Sequence, residues 1–248
     1  MLFETSILSR PGGREVNEDA AHWRAVAPGS AIWVLADGLG GHGGGEAASQ
    51  RAAEELLALD PPAADPAWIA DRIQSTHERI VAGQQESLEL RHMHTTAVLL
   101  AAVGGQAAWG HCGDSRLYFF RDGRLVEQTI DHSYVQTKVD AGDLRPQDIR
   151  FHEDRNRLLA SLGASGAVRT TVRPEPLPLQ PGDAFLLASD GFWELVLETE
   201  MEVELAKASS AKGWIGGMLN RLLARAEGEY DNYTAVAVWV HDGGEQVP

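Results

Sequence analysis

The sequence predicts an α+β fold with a largely antiparallel sheet, and two observations point there. Short apolar runs come in pairs joined by the tight-turn dipeptides Gly104-Gly105 and Asp122-Gly123, a hairpin signature. Helical patterns gather in blocks of their own instead of alternating with the strands, which argues against a parallel sheet built of strand–helix–strand units.

In chain order, the apolar run "AIWVLAD" comes first and leads into a glycine-rich loop. From Gly45 to Leu59, Ala48, Ala52, Leu56 and Leu59 recur at helical spacing, and Pro61-Pro62 after Asp60 stops that helix. Asp65 is placed to cap a second helix with Pro66 at its first position, and Ile69, Ile73, Thr76 and Ile80 line one face. The runs "TTAVLLAAV" and "QAAWGHCG", then "RLYFFR" and "RLVEQ", form the two hairpins. Further strands are expected at "AVRTTVRP", "DAFLLAS" and "YTAVAVWV", with a helix around Trp214 to Ala226 between the last two. The stretch "IDHSYVQTKVDAGDLRPQDIRFHEDRN" is polar, rich in turn residues and without clean periodicity, so it reads as loop or light helix; a short tail follows Val240. No repeat or low-complexity linker divides the chain, and residues 1–248 are expected to form a single domain.

Composition narrows the function classes. A formal charge of −15 argues against extended contact with nucleic acid phosphates or an anionic membrane. The longest apolar runs are strand-length, short of the roughly 20 residues that span a bilayer, and the N-terminus lacks the pattern of a signal peptide. The lone Cys112 excludes an intramolecular disulfide and a cysteine-rich zinc site, which fits a reducing cytoplasm. A small buried residue is the plain expectation for Cys112 itself.

The loop "ADGLGGHGGGEAA" contains G-x-G-x-x-G at Gly38, Gly40 and Gly43, between a strand and a helix as a dinucleotide fingerprint requires. Asp37 stands against that reading, since its charge would repel a pyrophosphate unless a cation lay between. The acidic residue expected about 20 positions on, at the end of a second strand, is also missing: the chain there is helical and ends at Asp60-Pro61-Pro62. The question becomes which cation Asp37 holds.

Asp19, Asp37, Asp114, Asp190 and Asp231 each sit at the edge of an apolar strand. Any one alone is a turn residue, as Asp122 and Asp183 are expected to be. The repeated Ala36-Asp37-Gly38 and Ser189-Asp190-Gly191, each closing a buried run, weigh the other way. Carboxylates at adjoining strand ends repel one another unless a divalent cation neutralises them. An all-oxygen donor set suits Mg²⁺ or Mn²⁺ and disfavours Zn²⁺. Two such ions about 4 Å apart can activate a water and neutralise a transferring phosphoryl group. Arg14, otherwise an ordinary surface arginine, offers a planar fork for phosphate oxygens.

The segments "REVNED", "LADGLGGHGGGEAAS", Thr95-Thr96, "HCGDSRLYFFRDGRL", "DHS", "RNRLLASLG", "ASDGFWE" and "YDNYTAV" follow in the order of the motifs of bacterial PP2C-type (PPM) protein serine/threonine phosphatases, which the chain resembles from about Arg10 to Val240. The resemblance implies two packed antiparallel β-sheets flanked by helix pairs, with a dinuclear Mn²⁺ or Mg²⁺ site at one end. It implies that Asp37, Asp190 and Asp231 bind the first metal and that Asp37 bridges to a second, where the Gly38 carbonyl is a further ligand. Glu18 and Asp19 would hold metal-bound waters, Asp114 with Asp190 a weaker third ion, and Arg14 the phosphate. The implied reaction is attack by a metal-bridging hydroxide on phosphoserine or phosphothreonine in proteins, opposing a Hanks-type kinase. Type VI secretion components are implied as further partners, and the protein is expected to act as a monomer. A catalytically weak binding module of the same family is the rival reading, and the presence of all five aspartates and Arg14 weighs against it.

The sequence departs from the family at two places. Leu39 follows the Asp37-Gly38 pair where animal members carry a histidine, leaving His42 as the catalytic acid candidate, and Glu194 replaces a frequent aspartate. His92 and His94 would face the same side of a strand, as strand-end histidines more than as a metal pair. His111 is expected to pack or hydrogen-bond. The glycines at Gly38, Gly40, Gly41 and Gly43 then serve a turn and a carbonyl ligand, with no nucleotide.

Overall fold

Strand β3 (Ser30–Leu39) has both faces buried, so its side chains sort by alternation. Trp33 and Leu35 enter one apolar cluster, while Ile32, Val34 and Ala36 enter another. The last strand does the same: Val236, Val238 and Val240 join the first cluster, and Ala235 and Ala237 a third. Three cores separated by two sheets make four layers. The computed structural model describes residues 1–40, 44–228 and 230–243.

The strands are β1 (Leu2–Arg10), β2 (Asp19–Ala27), β3, β4 (His94–Thr95), β5 (Ala97–Val103), β6 (Gln106–Cys112), β7 (Arg116–Arg121), β8 (Arg124–Gln128), β9 (Thr171–Val172), β10 (Leu177–Pro178), β11 (Ala184–Ala188) and β12 (Tyr233–His241). The helices are α1 (Gly44–Leu57), α2 (Pro66–Gly83), α3 (Tyr134–Asp140), α4 (Asp190–Trp193), α5 (Glu198–Lys207) and α6 (Ala211–Leu223). One sheet runs β1-β12-β11-β7-β8 and the other β10-β6-β5-β3-β2, with β4 against β3 and β9 against β6. All recorded pairings are antiparallel. Helices α1 and α2 cover the second sheet, and α5 and α6 cover the first. The expected double sandwich with flanking helix pairs is therefore present.

Both hairpins form where expected, and Asp122 takes a positive φ of 53° in its turn. Asp65 caps α2, accepting from the Ala67 N–H at 2.9 Å. Other boundaries differ. The strand expected over "AVRTTVRP" shrinks to Thr171–Val172. Pro174 follows closely and has no N–H to extend the ladder. The helix expected from Trp214 begins at Ala211, where Ser210 accepts from the Gly213 N–H at 3.0 Å. Helix α5 and strand β1 carried no clear sequence signal and are additions. His92 ends a 3-10 turn at Leu90–His92, and only His94 is on a strand, so the two do not share a strand face. The tail residues 244–248 lie outside the described residues.

The aperiodic segment from Asp131 to Asn156 contains α3, capped by Ser133, and a 3-10 turn at Pro146–Phe151. Its first residue is anchored: Asp131 takes two 2.8 Å hydrogen bonds from Arg116, and both side chains are buried. Breaking such a pair costs about 3–5 kcal/mol, so movement of this segment has to occur beyond Asp131.

Candidate active site

Pairing of β2 with β3 sets Asp19 directly opposite Asp37. Thr95 and Thr96 fix the main chain of Asp37: the Asp37 N–H donates to Thr96 Oγ1 at 3.0 Å, and its carbonyl accepts from the Thr96 N–H and the Thr95 hydroxyl, both at 2.8 Å. Gly38 follows, with its N–H donating to the Glu18 carbonyl at 3.1 Å. A Cβ on Gly38 would run into the Gly45 carbonyl at the start of α1, so glycine is required by this close approach. Gly41, His42 and Gly43, including the candidate catalytic acid, lie outside the described residues.

The remaining carboxylates arrive from three further elements. Asp114 sits in the turn after β6, Asp190 opens the short helix α4, and Asp231 lies in the loop before β12. With Arg14, Glu18, Asp37 and Gly38 they line one cavity of about 540 Å³. Asp19 lies beneath it, its Oδ2 accepting from the Ser189 hydroxyl at 2.8 Å.

Burial, and then repulsion from Asp19, pushes the Asp37 carboxyl well above its usual range. The same holds for Asp190, through burial and then Asp114. Burial raises Asp114 to about 7, with Asp131 adding to it, and raises Asp19 to about 6 against the hydrogen bonds of Thr234 and Ser189. Buried carboxylates are ordinarily paired or hold a cation. Here Asp19 Oδ1 is buried with no hydrogen-bond partner. Among the described residues no three His, Cys, Asp or Glu side chains form a ready-made ligand cluster. The donor set, all oxygen and mostly buried, fits a hard divalent cation.

Arg14 stands in the loop between β1 and β2 with its side chain 58% exposed. Its Nη2 donates to Asp231 Oδ2 at 3.0 Å, a contact the sequence did not suggest. Asn232 was also missed: its Oδ1 accepts from the Glu18 N–H at 2.8 Å, and its Nδ2 donates to the Pro11 and Val16 carbonyls, both at 2.9 Å. One amide thereby holds both ends of the loop that carries Arg14. Asn156 and Leu158 bring the end of the 131–156 segment and the chain just beyond it to the cavity wall. The "DN" and "RN" dipeptides were the available signals, and both read locally as turns. Glu194 bonds Arg155 at 2.7 Å. His111 stacks on His132 and bonds the Ile130 carbonyl, as a packing residue should. Cys112 is buried, and its thiol is pushed up to about 12.

A set of carboxylates facing one cavity beside an exposed arginine, at one end of a two-sheet antiparallel sandwich, has the chemistry of a metal-dependent phosphatase. The family profile described as Protein phosphatase 2C matches residues 12–222, and the chain belongs to that family. It is thus an enzyme, a protein phosphatase. The serine/threonine phosphatase stp of Listeria welshimeri is 32% identical over 214 residues, 84% of this chain and 83% of that one. PppA, a key regulatory component of T6SS in Pseudomonas aeruginosa, superposes with a TM-score of 0.78 at 33% identity, covering 96% of this chain and 98% of its own. The catalytic domain of the phosphatase PstP, in complex with 2 manganese ions, gives a TM-score of 0.78 at 29% identity, covering 97% of this chain and 99% of that one.

Proposed function

We propose that residues 1–248 form one catalytic domain that hydrolyses phosphoserine and phosphothreonine in proteins with two Mn²⁺ or Mg²⁺ ions. The observation that carries this is the set of buried, mutually repelling carboxylates facing one cavity with Arg14 at its rim. Asp37, Asp190 and Asp231, with the Gly38 carbonyl, would hold the ions; Glu18 and Asp19 would hold their waters, and Asp114 with Asp190 a weaker third ion. Bound there, the ions supply charge neutralisation for the transferring phosphoryl group and acidify water. Arg14 orients the phosphate through two of its oxygens. The leaving alkoxide takes its proton from water or from His42.

The manganese-bound relative supports the choice of metal. The role opposite a Hanks-type kinase follows from the family resemblance, and the likeness to PppA supports a target among type VI secretion components. No described helix is long and apolar enough to cross a membrane. We place the protein in the cytoplasm as a monomer, on its acidic charge and single buried cysteine.

The test is turnover of phosphoserine, phosphothreonine and phosphotyrosine peptides by purified protein in Mn²⁺, beside Asp37→Asn. Wild type is expected to prefer the first two, and the variant to lose at least 100-fold in kcat, in line with removal of a group acting within a catalytic unit. Wild-type rates in Asp37→Asn, or a phosphotyrosine preference, would overturn the reading.

A further inference from the structure

Asn232 follows Asp231 directly and lines the same cavity, yet its side chain has no donor left for a substrate. It is 6% exposed. Nδ2, which carries two hydrogens, donates to the Pro11 and Val16 carbonyls, both at 2.9 Å, and Oδ1 accepts from the Glu18 N–H at 2.8 Å. Two acceptors and one donor at this spacing call for an amide. A carboxylate has no hydrogens to give, and an apolar side chain of the same shape leaves three main-chain groups without partners.

The chain gathered by this amide is the loop between β1 and β2 that carries Arg14. The Arg14 N–H donates back to the Pro11 carbonyl at 3.1 Å, and the Gly13 N–H donates to the Tyr230 carbonyl at 2.9 Å. Gly12 adopts a φ of 63°, and a Cβ there would meet the Asp231 carbonyl, so the loop lies directly against the chain leading into β12. The guanidinium itself is exposed and meets Asp231 Oδ2. Arg14 therefore takes its placement from the main chain beneath it more than from packing of its own side chain. At the far end of the loop both main-chain groups of Glu18 are held: its N–H by Asn232, and its carbonyl by the Gly38 N–H at 3.1 Å and the Ser49 hydroxyl at 2.5 Å.

We propose that Asn232 is a positioning residue for phosphate binding: its three hydrogen bonds hold the 11–18 loop so that the Arg14 fork stands at the cavity while Asp231, its neighbour in sequence, faces the same space. The inference rests on the roles of Arg14 and Asp231 proposed above. Affinity for the phosphoryl group then depends on a side chain that does not touch it. A loop released from Asn232 keeps the charge of Arg14 and loses its aim, so the defect falls on substrate binding and passes through Arg14.

The test uses the full chain, with KM and kcat for p-nitrophenyl phosphate at saturating Mn²⁺, competitive inhibition by inorganic phosphate, and a separate calorimetric titration with Mn²⁺ alone. Asn232→Ala removes all three hydrogen bonds. Asn232→Asp keeps an acceptor for the Glu18 N–H and sets a carboxylate oxygen against the Pro11 and Val16 carbonyls. Both are expected to raise KM and the phosphate inhibition constant by about 5-fold, less than removal of Arg14 itself, and Asn232→Ala to change Mn²⁺ affinity by less than about 2-fold. In an Arg14→Ala background either substitution should add almost nothing to KM, because it acts through Arg14. A purely structural role would lower melting and kcat alike in both backgrounds and show no such coupling. Wild-type KM in both Asn232 variants, or the same rise in KM with and without Arg14, overturns the proposal. If neither variant folds, as judged by thermal melting, Gly12→Ala decides alone: it presses the loop off Asp231 with the amide intact, and an unchanged KM there overturns the proposal. Arg14→Ala separates the two levels. If it raises KM and the phosphate inhibition constant while the Asn232 variants do not, the positioning role fails and the phosphate role of Arg14 stands. If it leaves both constants as in wild type, the phosphate role of Arg14 fails and the positioning role falls with it.

Discussion

Asp19 and Asp37 face each other across the β2–β3 ladder as a directly opposed pair of carboxylates, Asp19 buried and Asp37 on the cavity wall. Like charges so placed are destabilising, and the metal-free protein relieves them by taking up protons. Asp19 is raised to about 6 and Asp114 to about 7, from an ordinary 3.8. The sign follows: the folded state binds these protons more tightly than the unfolded chain, so their stabilisation is complete at low pH and lost as pH rises through 6 to 7. In chelator, unfolding free energy should fall by an amount on the order of a few kcal/mol between about pH 4 and pH 7, read as a falling melting temperature. The Mn²⁺-induced gain should grow over the same range. Asp37→Asn, inactive, should melt higher than metal-free wild type at the alkaline end. A chelated wild type that grows more stable as pH rises would contradict this.

Arg14 and Asp231 make a mostly exposed ion pair, 58% and 37% accessible. Such pairs contribute about 0–1 kcal/mol, so the contact is easily given up to a phosphate. Arg14→Ala should raise KM for p-nitrophenyl phosphate by about 10-fold or more, consistent with loss of a charge-assisted fork, and barely alter Mn²⁺ affinity or melting. A collapse of Mn²⁺ binding in Arg14→Ala would instead make Arg14 a support for Asp231.

Gly38→Ala tests the close approach of β3 to α1. The added methyl would collide with the Gly45 main chain and with the Glu18 carbonyl, 2.7 Å away. Main-chain atoms cannot swing aside, so a loss of about 2–4 kcal/mol is expected, within the range of overpacking and backbone strain. Metal-dependent activity should fall with it. Wild-type melting and Mn²⁺ binding would show that the loop after β3 can shift freely.

Phe151, 76% exposed, ends the 3-10 turn one residue after the buried Arg150. If the segment reads the surroundings of a phosphorylated residue, Phe151→Ser should slow dephosphorylation of a folded phosphoprotein by about 3-fold or more, the scale of about 1 kcal/mol for a peripheral contact. Hydrolysis of p-nitrophenyl phosphate should stay level. Equal rates on both substrates would remove Phe151 from recognition.

What could be read ahead of the structure was local. Gly104-Gly105 and Asp122-Gly123 specify turns within a few residues, and Ile69, Ile73, Thr76 and Ile80 display helical spacing. The aspartates stood out because two of them repeat one pattern at the end of a buried run. Strand β1, "LFETSILSR", was not legible because its residues are mostly half-buried and its partner is β12 at the other end of the sequence. Order in the 131–156 segment depends on Arg116 reaching Asp131 and Arg150 reaching Trp193 and Glu198. These are hydrogen bonds and ion pairs of buried arginines to residues distant in the sequence, and no periodicity announces them. Asn232 bonding the loop around Arg14 was hidden for the same reason.

Strand β12 lies between β1 and β11, with Leu2 opposite His241 and Arg10 opposite Tyr233. The order in which a ribosome delivers the chain therefore bears on when the catalyst exists. The sheet built on β2, β3, β5 and β6 can assemble from near neighbours as it emerges, whereas β1 has to wait for the strand that ends the first sheet's wiring, a slow pairing of high contact order. Asp231 arrives with that strand. A nascent chain stalled before β12 has an open sheet edge and lacks Asp231 together, so under the proposed metal reading it is expected to be inactive.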